Sequence, residues 1–312
     1  MWPALCGNFL IVGEQVLILF VLVAVGFSLG KAKLLTDKGG KAFTDLALLI
    51  ATPCVIINSF QREFSTELLL KLLLSLSVAL GVHVVAIVVT HLIYRKDTPT
   101  NRVYQASAVL SNAGFMGLPL QQALFGTDGV MYGATYVVMM HVVMWSYGLL
   151  VMGRSAGRVS VKKMVFSPGT IGLAIGLLLF VCRITLPNLL ATPVKHLGNL
   201  NTPLPMLFAG YYLSKVDFKN AFKSKGLYGA LAVRMILVPV ICAALMYACG
   251  VRGVMLTSMV VAVSAPTAVA VAMFADRYKQ DAEEAINLVA LSTLISVVTM
   301  PLIVSTVQLI AG

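Results

Sequence analysis

Charge is what this sequence lacks. Asp, Glu, Lys and Arg make up 11% of its 312 residues, where a soluble domain carries about a quarter. Acidic residues are the scarcest, with 12 Asp and Glu against 23 Lys and Arg. This shortage stands beside 59% hydrophobic residues and a mean hydropathy of +0.93. The balance excludes a soluble globular domain and predicts an all-α polytopic membrane protein. Other absences narrow the chemistry. No GxxxxGK[ST] run occurs, so an ATP-driven pump working from this chain alone is not expected. Cys6, Cys54, Cys182, Cys242 and Cys249 have no metal-ligand spacing, and four of the five lie in apolar runs. Cysteine behaves there as a small hydrophobe. No haem motif and no acid–base or nucleophile cluster is visible, so neither a cofactor nor an enzymatic activity is expected. The opening MWPALCGNFL has no basic residue before its apolar run, which makes it a poor cleavable signal and predicts that it stays as the first helix.

A membrane-spanning helix needs about 20 apolar residues. Ten such spans are expected, at about 10–30, 41–60, 67–94, 102–125, 129–153, 168–187, 196–214, 223–250, 253–275 and 284–310. The distribution of basic residues supports this count. Loops after odd-numbered spans hold 17 Lys and Arg, loops after even-numbered spans hold five, and Arg234 lies inside a span. Cytoplasmic loops are the basic ones, so both termini are expected outside the cytoplasmic (inner) membrane. The same bias accounts for the net charge of +11 without a nucleic-acid partner.

The chain also repeats itself. Thr52-Pro53 and Thr202-Pro203 are 150 residues apart, Arg102 and Arg252 are 150 apart, and Ser111 and Ser264 are 153 apart. The predicted organisation is a first five-helix repeat at 1–153, a cytoplasmic linker at 154–167 and a second repeat at 168–312. Five is odd, so the second repeat enters the membrane inverted, an architecture common among secondary transporters.

The fourth span contains SNAGFMGLP (111–119) and its partner in the ninth contains SAPTAVAVAMFA (264–275). Proline removes a backbone donor and clashes one turn back. Gly114 and Gly117 permit close backbone approach and unusual dihedrals. Backbone groups freed by a break cannot face lipid, so two breaks in corresponding positions are expected to meet near the midplane. A half-helix N-terminus there offers unpaired N–H groups and a partial positive charge. Ser111, Asn112, Ser264 and Thr267 place neutral donors beside it, with Gly114 and Pro266 shaping the backbone. The set points to a small carboxylate as ligand.

These residues carry a resemblance. Pro53, Asn112-Ala-Gly-Phe-Met-Gly117, Arg234 with Pro239, Ala265-Pro266-Thr267 with Phe274-Ala275, and Leu291-Ser-Thr-Leu294 with Pro301 occur in the order found in the auxin efflux carrier family. The chain resembles that family's bacterial members, relatives of the plant PIN carriers, over nearly its whole length. The resemblance implies two inverted five-helix repeats with crossed broken helices four and nine, as in NhaA and bile-acid carriers. It implies a scaffold of spans 1, 2, 6 and 7 that forms a homodimer, and a transport domain of spans 3–5 and 8–10 that moves elevator-fashion. The implied substrates are small organic anions such as malate, malonate or an auxin. The long cytoplasmic loop of many plant members is absent.

Ionisable groups inside spans are costly and default to functional hypotheses. Asp45 reads either as an interfacial acid near Lys41 or as a coupling group. His141 reads as a buried, hydrogen-bonded histidine or as a proton or substrate group. Arg234 pairs with carbonyls or an acid, snorkels, or touches substrate. Ser292, Ser296 and Thr299 fall on one face of the tenth span, roughly extended by Asn287, and either line the site or glue packed helices. Two other functions stay open: a sodium-coupled symporter of the bile-acid-carrier type, for which the crossing offers no carboxylate, and a membrane anion sensor that does not transport.

Overall fold

The computed structural model describes residues 2–153, 166–216 and 225–311. All regular secondary structure among them is helical: α1 (Trp2–Lys31), α2 (Asp37–Leu46), α3 (Thr52–Ser59), α4 (Thr66–Ile93), α5 (Pro99–Val109), α6 (Leu118–Val143), α7 (Leu149–Met152), α8 (Pro168–Val181), α9 (Asn188–Asn199), α10 (Pro203–Leu213), α11 (Lys225–Ala232), α12 (Val238–Ala248), α13 (Gly253–Ser264), α14 (Val269–Arg277) and α15 (Ala282–Ala311). The expected linker lies outside the described residues except for Phe166 and Ser167, as do the loop residues Arg154, Arg158, Lys162, Lys163, Lys219 and Lys223.

Six helical stretches among the described residues are long and apolar enough to cross a membrane: Phe9–Lys31, Lys38–Ser59, Thr66–Ile93, Ala113–Met152, Gly226–Ala248 and Ala282–Ile310. Pro168–Val181 and Gly253–Ser264 are shorter apolar helices. The chain is therefore a multi-pass membrane protein. Ala113–Met152 has 40 residues; at 1.5 Å per residue a straight helix of that length would reach about twice the hydrocarbon thickness. It is not straight. Gly126, at φ 58 and ψ −140, breaks it into two arms. The positive φ is a conformation that glycine adopts without a Cβ penalty.

Proline shapes the helices in a regular way. Three of the four π-helical turns, Ala47–Ala51, Ala113–Gly117 and Val233–Leu237, end two residues before Pro53, Pro119 and Pro239. A proline supplies no N–H and crowds the carbonyl four residues back. Widening the preceding turn by one residue accommodates both effects without ending the helix. The fourth π turn, Met144–Gly148, joins α6 to α7 and has no such proline.

Two helices form the hub. Met255–Ser264 of α13 and Gly129–Val138 of α6 are buried at every position. A helix apolar all round belongs in the interior of a bundle. Within the hub α6 packs against α13; α4 packs on α6 and α15 on α13, α1 packs against α10 and α15, and α3 packs against α8 and α9. Outward-facing Leu17, Ile18, Val21, Leu70, Leu73 and Leu74 are exposed, as a lipid-facing surface requires.

α1 and α10 approach each other closely. A Cβ on Gly26 would overlap the Leu207 carbonyl, and one on Gly210 would overlap the Val23 carbonyl. Small residues let membrane helices approach this closely, and packing is their main source of association energy. Gly210→Ala is expected to destabilise the protein by about 1–3 kcal/mol and to lower its melting temperature in detergent. Gly81→Ala is the control, because nothing lies within 4 Å of the added Cβ; it should leave the melting temperature unchanged or slightly raised.

Candidate functional site

The two interrupted segments cross each other. α5 ends at Val109 and the next helical turn begins at Ala113; α13 ends at Ser264 and α14 begins at Val269. Between them the two strands of backbone run antiparallel, with Ser111 bridged to Thr267. Asn112 N–H donates to the Pro266 carbonyl at 2.7 Å, and Ala268 N–H donates to the Leu110 carbonyl at 2.9 Å. Each break thus satisfies part of the other, which is the accounting that hydrocarbon demands.

The C-terminal ends of α5 and α13 both arrive at this crossing with orphan carbonyls. Arg234 meets them. Its guanidinium donates to Val263 at 2.9 Å, to Ala108 and Pro266 at 3.4 Å each, and to Ala265. Arg234 is the largest fully buried side chain among the described residues, at 0% exposure. It is delivered by the π turn Val233–Leu237. A fixed cation at two helix C-termini offsets their negative dipole ends. Of the readings open for Arg234, the structure selects carbonyl pairing.

The opposite ends are left with the other sign. The first N–H groups of the turn Ala113–Gly117 and of α14 have no carbonyl one turn behind them. The crossing contains no buried carboxylate among the described residues. Asn112, 8% exposed, makes no side-chain hydrogen bond among them. A Cβ on Gly114 would meet nothing within 4 Å, so open space adjoins this helix start. The Thr267 hydroxyl is buried without a partner, and the Thr267 N–H donates to Ser292 Oγ at 3.1 Å.

The structure brings several expected residues together and separates others. Ser111, Asn112, Pro266, Thr267 and Ser292 share the crossing. Ser111 Oγ also donates to Tyr136 Oη at 3.2 Å. Ser264 turns back to its own helix, donating to Val260 at 2.6 Å. Gly114 and Gly117 do not take positive φ. The break sits before them, at Leu110–Asn112, and a Cβ on Gly117 would meet Ala262 Cα in ordinary van der Waals contact at 3.6 Å. Ser296 bonds Thr293 of its own helix and Thr299 bonds Ile295, while Asn287 is buried on α15. Asp45 is exposed on α2, and no hydrogen bond among the described residues joins it to the crossing. His141 packs against Gly169 at the start of α8, with its Nδ1 unpartnered.

Other residues were not singled out by sequence. A cavity of about 220 Å³ adjoins the start of α6 and is lined by Leu118, Pro119, Asn58, Gln122, Lys195, Asn199, Asn201 and Thr202. Its cation and amides suit an anion. Asn201 is 2% exposed, accepts from Thr52 Oγ1 at 2.8 Å and leaves its Nδ2 unpartnered. Gln121, fully buried, donates to the Ser258 carbonyl at 2.7 Å and ties α6 to α13. The available signal was the amides beside the two Thr-Pro pairs, Asn58 and Asn199–Asn201.

A family model described as membrane transport protein matches residues 11–163 and 152–304. An uncharacterized transporter of Methanothermobacter thermautotrophicus is 24% identical over 297 residues, covering 93% of this chain and 96% of its own. The uncharacterized transporter MJ1031 of Methanocaldococcus jannaschii is 23% identical over 305 residues, covering 93% and 96%.

Replacing the buried cation tests the electrostatic account of the crossing. Arg234→Met leaves the carbonyls of Ala108, Val263 and Ala265 unpaired and is expected to cost on the order of 3 kcal/mol. Arg234→Lys keeps the charge but loses the planar fork. Its melting temperature should fall between those of the wild type and Arg234→Met.

Proposed function

The chain belongs to the membrane transport protein family, the auxin-efflux-carrier-like transporters, and we propose that it is a secondary transporter for a small organic anion. It is a multi-pass protein of the lipid bilayer with a small-molecule substrate. The finer reading has ten spans in two inverted five-helix repeats, 1–153 and 168–312, with the fourth and ninth spans broken and crossed. The transport domain of spans 3–5 and 8–10 moves elevator-fashion against a dimeric scaffold of spans 1, 2, 6 and 7. The protein sits in the cytoplasmic membrane with both termini outside.

One observation carries the anion assignment. The two breaks pair through backbone while Arg234 occupies their carbonyl ends. The amide ends, which attract negative charge, stay available beside Asn112 and the space next to Gly114. A carboxylate at these N–H groups would be a charge-assisted acceptor. A cavity with Lys195 and several amides lies at the start of α6, the helix that continues from this turn. Apolar Phe115 and Met116 of the turn Ala113–Gly117 suit an aliphatic or an aromatic acid.

Uptake into proteoliposomes tests the assignment. Asn112→Ala removes one hydrogen-bonding group from the site and should lower uptake of a carboxylate substrate about 10-fold or more at sub-saturating concentration, with the melting temperature little changed. Unchanged uptake in both Asn112→Ala and Thr267→Val would place the site elsewhere.

A further inference from the structure

Remote from the crossing, a second polar cavity of about 510 Å³ opens where α4 leaves the membrane and the chain turns into α5. Its lining includes the cations Arg95, Lys96 and Arg102 and one acid, Asp97, together with Tyr94, Tyr147 and Leu150. The charges do not cancel. Arg102 pairs with Asp97 at 2.8 Å and reaches Gln280. Arg95 uses its Nε on the Leu92 carbonyl at 3.1 Å. Among the described residues neither Arg95 nor Lys96 has an acidic partner, and both are exposed. The Tyr94 ring packs beside Tyr104, with ring centroids 5.5 Å apart, and backs the cavity. Two cations with no acidic partner among the described residues therefore line one concavity.

The surroundings fix the depth of this cavity. The span Thr66–Ile93 ends immediately before it, so its rim lies at the water interface. Leu92 and Leu150 are exposed, at 60% and 57%, and carry an apolar surface from the cavity toward the acyl chains. A guanidinium and an ammonium over such a wall match the phosphate of a lipid headgroup.

We infer that the Arg95–Lys96 cavity binds a phosphate group, supplied by an anionic phospholipid headgroup or by soluble phosphate. α5 runs from the rim, where Arg102 sits, to Val109 beside the crossing. An occupied cavity therefore holds the base of one of the two crossed segments.

The full-length protein in detergent is titrated with dioleoylphosphatidylglycerol, dioleoylphosphatidylcholine and inorganic phosphate, reading the melting temperature. The comparison is the double variant Arg95→Gln/Lys96→Gln, whose equal melting temperature without additive establishes that it folds. The expected result is saturable stabilisation of the wild type by phosphatidylglycerol over phosphatidylcholine, with apparent affinity at least 10-fold weaker in the variant and weaker at high salt. Stabilisation by inorganic phosphate that is lost in the variant would identify soluble phosphate as the source. Equal response to the two lipids without a phosphate effect, or equal responses of wild type and variant, would overturn the inference.

Discussion

The structure depends on one constraint: a helix interrupted inside hydrocarbon exposes backbone groups that water cannot reach. Each unpaired N–H or C=O there costs several kcal/mol. Two interruptions placed against each other share the burden. Leu110 and Asn112 exchange backbone hydrogen bonds with Ala268 and Pro266, a two-residue antiparallel pairing inside an otherwise helical protein. Arg234 takes the remaining carbonyls. A guanidinium would ordinarily be expelled from such depth, but four carbonyl acceptors and two negative helix ends replace its hydration.

This solution has an electrical sign. The cation spent on the carbonyl ends leaves the amide ends positive, and the proposed anion site rests on that sign. The surrounding side chains leave that sign unchanged, because Ser111, Asn112, Thr267 and Ser292 bring no charge of their own. The π turns before Pro53, Pro119 and Pro239 belong to the same economy of backbone groups. One turn adjoins the crossing, one delivers Arg234, and one precedes Thr52, which is bonded to Asn201 at the neighbouring cavity.

The membrane class, the two breaks and the placing of Arg234 inside a span were legible in the sequence, because hydropathy and proline act locally. SNAGFMGLP and SAPT announce interruptions without reference to the rest of the chain. What they touch was less legible. The partners of Arg234 lie 29–32 and 126 residues away, and the Thr52–Asn201 bond spans 149. Periodicity carries no record of such pairings. The glycines misled on one point: they suggested unusual dihedrals, whereas neither Gly114 nor Gly117 takes a positive φ. The polar stripe on α15 divided for a similar reason. Serine and threonine can bond back to their own helix, as Ser296 and Thr299 do, and only Ser292 reaches the crossing.

The most direct test of the central claim, that the amide ends of the crossed helices hold an anion, is a thermal-shift comparison of small carboxylic acids with their uncharged amides. A ligand that binds only the folded state raises the melting temperature. At least one dicarboxylate, keto acid or indole acid should stabilise the wild type while its amide does not, and the shift should vanish in Asn112→Ala. Equal stabilisation by acid and amide, or by wild type and variant, would contradict the account.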